Sequence, residues 1–502
     1  MGASRTREIA RKIPNFSASS WYNFLLLAIV LFGIFLRLKG LIINPSMWHD
    51  ECALGWNIKF KNYSDFFGIL RFMQMAPPFF MAATKLITKI FGFSDISLRI
   101  LPFLAGISSI IAFYFLALKT LNTRFVVLCA VFFFAINQQL INYSFEFKPY
   151  SLDVLFTIIC LLFFINLNIE KLSLKKAFLY GLLLSIVPWF SFVSAFIIAG
   201  GFLNLGFKNI KYDWKKKVFL ILPILLGGLV YLKIYLVSNY TGTHMVNYWQ
   251  NNFVTANPFF FLYLLAENIK YFFFPIQYVL FSLILLIWGV IIFYREKSSF
   301  INISVASFIL LIIASFLRFY PFFGRLVLFL VPIFLLLILK PLDLVSFNKK
   351  FKLFIIFFLT FFTLCPQIIQ TIDFIQTRSI SKGESPREMT ENLVKNLKKN
   401  DIIFVSNSAN TEFAYYSSFY NIKNQIIQEP QHSNTVEVLN SLKKGQNYWF
   451  YITFGNPKSI LDWIDKNAEV IKIIHPEKTN DYLIYMKITP LTVLVPLWKQ
   501  NW

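Results

Sequence analysis

Charge is scarce in this chain, and acidic charge is scarcest. Of 502 residues only 15% are charged, with 25 Asp and Glu set against 48 Lys and Arg. A soluble globular domain averages about 25% charged residues, so a wholly soluble protein is excluded. Cysteine is nearly absent: Cys52, Cys129, Cys160 and Cys365 show no CxxC or metal-type spacing, which argues against a zinc ribbon and against a disulfide framework. Cys129 and Cys160 lie in apolar runs and read as small core residues; Cys52, beside acidic residues, could be reactive but is more simply packing. No Gly-rich phosphate loop, internal repeat or low-complexity linker stands out.

What fills the space is apolar. The chain is 57% hydrophobic and 19% aromatic, as a multispanning membrane protein requires. Its net charge of +23 would suggest nucleic acid in a soluble protein. Here the cations gather in short loops between apolar runs, where they set topology, so no nucleic-acid partner is expected. The first run, 21–43, has about the ~20 residues a bilayer-crossing helix needs. Arg5, Arg7, Arg11 and Lys12 precede it and no small-residue cleavage signal follows, so it reads as an uncleaved anchor with a cytoplasmic N-terminus.

Asn44-Pro45-Ser46-Met47-Trp48-His49-Asp50-Glu51 then emerges on the far side. Adjacent carboxylates at the mouth of a membrane helix are a candidate site, because an ionised carboxylate accepts a proton from a hydroxyl. His49 reads as a base, a ligand or a satisfied polar group. After a loop to about residue 71, Pro77-Pro78 opens a run to Phe91 in which Thr84, Lys85, Thr88 and Lys89 form one polar face. That spacing predicts a helix on the membrane surface. Further spans are predicted at 99–118, 125–142, 151–168, 177–190, 192–207, 218–237, 276–294, 300–317, 324–340 and 353–369, about eleven in all. Pro188 leaves open a single bent span over 177–207. Only with 77–91 lying on the surface do the lysine-rich loops all fall in the cytoplasm.

The predicted outer face then carries the loop 142–150, the loop 238–275, the segment 318–325 and everything beyond about 370. The fold class expected is an α-helical polytopic membrane protein over 1–370 with a C-terminal soluble α/β domain over 371–502. In the tail, helices are predicted at 384–399, 411–420, 436–444 and 457–467, and strands at 401–406, 448–454, 470–474 and 482–488. Glu146 and Lys148, flanked by Tyr143 and Tyr150, form either a salt bridge closing the outer cavity or an anion site. Arg99, Arg318, Arg325, Lys85 and Lys89 are the other cations able to approach it; simple snorkelling is the alternative for each.

Taken in order, WHDE, APPFFMAATKLITKIFG, SLRILPFLAG, INYSFEFKPYSLDVLF and RFYPFFGRLVLFLVP resemble the membrane-embedded type-C glycosyltransferases. The resemblance is specifically to bacterial relatives of the protein O-mannosyltransferases and the lipid A aminoarabinose transferase. It covers about residues 20–170 well and 300–340 loosely. Ala76 departs from it where relatives often carry His or Lys, and Lys148 stands where Arg is common, keeping charge but losing bidentate geometry.

The resemblance implies transfer of a sugar from a polyprenyl-phosphate donor to an acceptor hydroxyl, with inversion, on the outer face of a bacterial cytoplasmic membrane. Asp50 would be the general base and Glu51, the other catalytic residue, would position the base or the acceptor; Lys148, Arg99, Arg325 and Lys85 would bind the donor phosphate. Glu146, Tyr143, Tyr150 and His49 would support them. No cofactor is demanded, and no motif supplies a divalent metal, although one is not excluded. The acceptor is a glycan, a lipid or a protein. A transporter of lipid-linked intermediates is the alternative from another class; it would favour internal repeats, and none is seen. A non-catalytic envelope protein would leave the acidic pair without a task.

Overall fold

A computed structural model describes residues 20–208, 214–237, 246–273, 279–343, 350–377, 384–430, 435–453, 458–476, 479 and 481–488. The N-terminal cations Arg5, Arg7, Arg11 and Lys12 lie outside the described residues. Most of the remainder is helical, because long apolar runs in lipid must satisfy their backbone internally. Among the described residues Ser20–Ile43, Asp95–Thr120, Ser299–Phe316 and Gly324–Asp343 are each long and apolar enough to cross a membrane. This is a multi-pass membrane protein. The eleven spans expected are more than length and composition alone support.

Several predicted spans change form. The run 125–142 is two helices, Arg124–Ile136 and Gln138–Asn142, and the polypeptide bends by 51° between them. Asn137 makes the break: its side chain caps Leu140 N and its amide donates to Phe272 O at 2.8 Å. The run 177–207 is also two helices, Leu174–Ile186 and Ser194–Lys208, separated by a 3-10 turn holding Pro188. They pack on different partners, the first on Trp214–Val237 and the second on Ser299–Phe316. Inside the predicted loop 238–275 lies a helix, Pro258–Phe273, and the predicted loop after the acidic pair is the helix His49–Phe60.

The helix Pro78–Phe91 spans only ~21 Å, too short for a ~30 Å hydrocarbon core. The expected polar face is divided: Thr84 and Thr88 are buried together with Phe80 and Met81, while Lys89 is exposed beside Leu86, Ile90 and Phe91. Each buried threonine hydroxyl bonds a carbonyl of its own helix.

The C-terminal unit holds a five-stranded sheet in the order β2-β1-β3-β5-β4, with β1 Ile402–Val405, β2 Ile426–Gln428, β3 Asn447–Ile452, β4 Ala468–Ile474 and β5 Tyr482–Ile488. β1 runs parallel to β2 and β3; β5 runs antiparallel to β3 and β4. Both faces are covered, so β1 and β3 read as continuous apolar runs. Ile402 and Phe404 face helices Thr435–Asn440 and Lys458–Asn467, while Ile403 and Val405 face Met389, Leu393 and Phe413. β2, only three residues long, escaped the sequence reading.

Candidate active site

The site grows from the start of the helix His49–Phe60. Asp50 and Glu51 both lie in its first turn, where the free backbone N–H groups favour negative charge. Successive residues on a helix point about 100° apart, so the two carboxylates face different surroundings. Asp50 faces a cavity of about 530 Å³ and Glu51 faces the protein core.

Three side chains from three segments meet Asp50. Arg325 Nη2 lies 2.9 Å from Oδ2, Lys148 Nζ 3.4 Å from the same oxygen, and Gln74 Nε2 3.4 Å from Oδ1. Gln74 Oε1 accepts in turn from Lys148 Nζ at 3.0 Å, which ties the ammonium to the carboxylate's other edge. Arg325 enters after Gly324, whose φ of 54° is the left-handed region glycine adopts without strain. Gln74 follows Phe72 and Met73, both left-handed (φ 60° and 53°), at a cost of order 1–3 kcal/mol each. Reciprocal bonds between the Asn57 side chain and the Arg71 backbone hold that turn.

The walls are aromatic. The Arg325 guanidinium lies 4.8 Å from the Trp48 ring centroid and 5.8 Å from that of Trp249. Phe72, Tyr150, Tyr248 and Phe253 also line the cavity, and Phe196, Leu326 and Ala314 make an apolar side. Burial pushes the Asp50 carboxyl up, but Lys148, Arg325 and His49 together hold it below the usual carboxylate range. Burial, opposed by Asp50 but aided by the nearby Arg325, leaves Lys148 below the ordinary lysine range.

Other predicted site residues fall elsewhere. Arg99 and Glu51 are fully buried and form a bidentate pair, Nε–Oε1 and Nη2–Oε2 both 2.9 Å. Arg99 also donates to Asn44 Oδ1 and Pro45 O, and Glu51 accepts from Phe147 N at 2.7 Å. Neither lines the cavity. Arg99, expected as a phosphate ligand, is thus engaged in the core by Glu51 instead of reaching the cavity. Lys85 does not line the cavity either: its ammonium donates to Ile58 O and Lys61 O at 2.6 Å, closing the C-terminal end of the His49–Phe60 helix.

Glu146 is buried two residues before Lys148, whose ammonium is held by Asp50 and Gln74. Tyr150 lines the cavity; Tyr143 stands behind it, edge-on at 5.0 Å, with its hydroxyl 2.5 Å from that of Tyr271. His49 lines the cavity as well, with Nδ1 2.9 Å from Glu412 Oε1 of the C-terminal unit and its backbone N donating to Glu384 Oε2. Among the wall residues, Gln74 and Asp153 went unselected by sequence; Arg318, one of the cations expected to be able to approach the outer cavity, is exposed on the same wall. An amide and an acid in apolar context announce nothing, and Asp153 is met by Ser191 Oγ at 2.6 Å, a partner 38 positions away. Among the described residues no group of three or more His, Cys, Asp or Glu side chains is arranged to hold a metal ion.

Residues 75–238 match the family model described as dolichyl-phosphate-mannose-protein mannosyltransferase, a match that contains Lys148 and Tyr150 but neither Asp50 nor Arg325. Across the whole chain, the crystal structure of ArnT from Cupriavidus metallidurans in the apo state superposes with a TM-score of 0.56 at 14% identity, covering 94% of this chain and 98% of that one. The chain has the fold of ArnT. The same organism's ArnT bound to undecaprenyl phosphate gives a TM-score of 0.53 at 11% identity, over 93% of this chain and 98% of that one. No curated protein sequence matches the chain. The ArnT fold brings Asp50, from a segment outside the family match, beside Lys148 inside it.

Proposed function

We propose that this protein is a membrane glycosyltransferase that moves a sugar from a polyprenyl-phosphate donor to an acceptor hydroxyl, with inversion at the anomeric carbon. One observation carries the reading: a carboxylate and two cations from separate segments meet at the wall of an aromatic and apolar cavity within an ArnT-like membrane fold. The family match and the undecaprenyl phosphate bound to the similar ArnT support the donor class.

The acceptor oxygen attacks the anomeric carbon as the bond from that carbon to the phosphate oxygen breaks. Asp50 takes the hydroxyl proton, and the polyprenyl phosphate leaves with the bonding pair. Phosphate is a good leaving group, so charge stabilisation matters more than its protonation. Lys148 and Arg325 supply that charge, a role in which Arg318 on the same wall can assist. The aromatic side chains offer faces to the sugar ring, and the apolar side receives the first prenyl units. The cavity opens on the outer face of a bacterial cytoplasmic membrane, alongside the C-terminal unit. The acceptor is a glycan, a lipid or a protein.

The test is transfer from a panel of polyprenyl-phosphate sugars by purified protein, followed by mass spectrometry of candidate acceptors. Wild type should give a glycosylated product of inverted anomeric configuration. Asp50→Asn should lose at least about 100-fold in kcat while staying folded. Full activity in that variant would remove Asp50 as the base.

A further inference from the structure

The ligand-free site contains a chemical contradiction. Asp50, the base of the proposed reaction, is bonded to the cations that a phosphate would need. A carboxylate held in this way is a poor proton acceptor, and cations neutralised in this way are poor phosphate ligands. One exchange of partners resolves both.

We propose that the donor phosphate displaces Asp50 from Lys148 and Arg325, and that this displacement switches the base on. The inference rests on the transferase reading and adds an order of events: donor first, acceptor deprotonation second.

The geometry suits such an exchange. Both cations approach the same oxygen, Oδ2, so a single anion inserted there displaces both contacts. Oδ1 meanwhile remains near the Gln74 amide, which holds the side chain at the cavity wall. The lock is accessible: Asp50 and Arg325 side chains retain 19% and 21% exposure, whereas the Glu51–Arg99 pair beside it has none. Of these two adjacent acid–cation pairs the bidentate one is sealed in the core, and only the one open to the cavity can trade partners.

Charge supports the same conclusion. Lys148 and Arg325 are faced by Asp50 and buried Glu146, Arg325 also by the phenols Tyr143 and Tyr150; His49 faces Asp50, and Arg318 lines the same wall. Adding an anionic phosphodiester brings one more negative charge to the cluster, which favours proton uptake by one of its acids. Asp50 is the acid that has lost its partners. It then accepts the acceptor hydroxyl's proton beside the sugar being attacked. Without donor the carboxylate stays locked and no acceptor is activated.

Coupling between two sites is reciprocal. If donor binding weakens the hold on Asp50, removing the Asp50 charge must strengthen donor binding. Asp50→Asn and Asp50→Ser, purified in detergent, should each bind a polyprenyl-phosphate hexose about tenfold more tightly than wild type. The same titration at pH 5.5, repeated in buffers of different ionisation enthalpy, counts protons. Wild type should take up protons that neither variant takes up, since a phosphodiester has no titrating proton there and His49 and Glu146 are common to all three. Equal or weaker binding by both variants, or equal proton uptake, overturns the exchange. Neither readout uses turnover, so failure of the transferase reading appears separately, as no product from wild type.

Discussion

Asp50 and Glu51 are neighbours with different work. The turn of the helix places one carboxylate at the cavity wall and seals the other into a bidentate pair with Arg99. Breaking a buried pair leaves an uncompensated charge, at about 3–5 kcal/mol. Glu51→Gln should therefore lower the thermal unfolding midpoint in detergent sharply, whereas Asp50→Asn should leave it nearly unchanged and abolish transfer. At Arg325, a lysine keeps the charge but loses the planar group lying against Trp48 and Trp249. Arg325→Lys should raise the donor KM about tenfold, measured by initial rates against donor concentration. The importance of the acidic pair was legible from WHDE at the end of an apolar run. The burial of Glu51 in a pair with Arg99 was not, because it depends on Arg99 and Phe147, 48 and 96 positions away.

The element that matters most is the segment 44–60, and the C-terminal unit grips it. Arg387 donates to Asn44 O and Pro45 O and pairs with Asp95; Tyr416 Oη accepts from Met47 N; Lys59 Nζ donates to Ser418 O. At Gly55 a Cβ would stand 2.6 Å from the Tyr415 ring, so only glycine permits this approach of two helices. The grip includes a titrating pair. Burial, then Glu412 nearby, pushes the Glu384 carboxyl from its ordinary 4.5 up to about 8. For His49 burial works downward, but the Glu412 hydrogen bond and charge outweigh it and leave the imidazole above its ordinary 6.5. Both folded values are raised. Their contribution to docking is thus fully present below the unfolded values and is lost as pH rises through about 8 for Glu384. Thermal stability of the purified protein should fall as pH climbs from 5 to 8 on the order of a few kcal/mol. Glu384→Gln, which keeps an acceptor for His49 N, should flatten that slope in a pH series of unfolding curves.

At the scale of the molecule, the sheet-containing unit docks on the helical bundle beside the cavity, since His49 lines the cavity and its partner Glu412 belongs to that unit. The arrangement predicts sidedness. A cysteine at exposed Lys444 should react with a membrane-impermeant maleimide added to intact spheroplasts, and one at exposed Lys176 should react only after permeabilisation. The reverse pattern would place the cavity on the cytoplasmic side.

Composition and periodicity by themselves determined that this is a membrane bundle followed by an α/β unit, because apolar runs, cationic loops and alternating strands are local signals. They marked Asp50, Lys148, Tyr150 and Arg325, which the cavity wall does bring together. Tertiary structure decided which cations are free to meet a ligand, which face of the 78–91 helix points outward, and that Gln74 joins the carboxylate to the lysine. A cation's partner is set by whatever chain folds against it, here from tens to hundreds of residues away. Sequence order carries no record of that pairing.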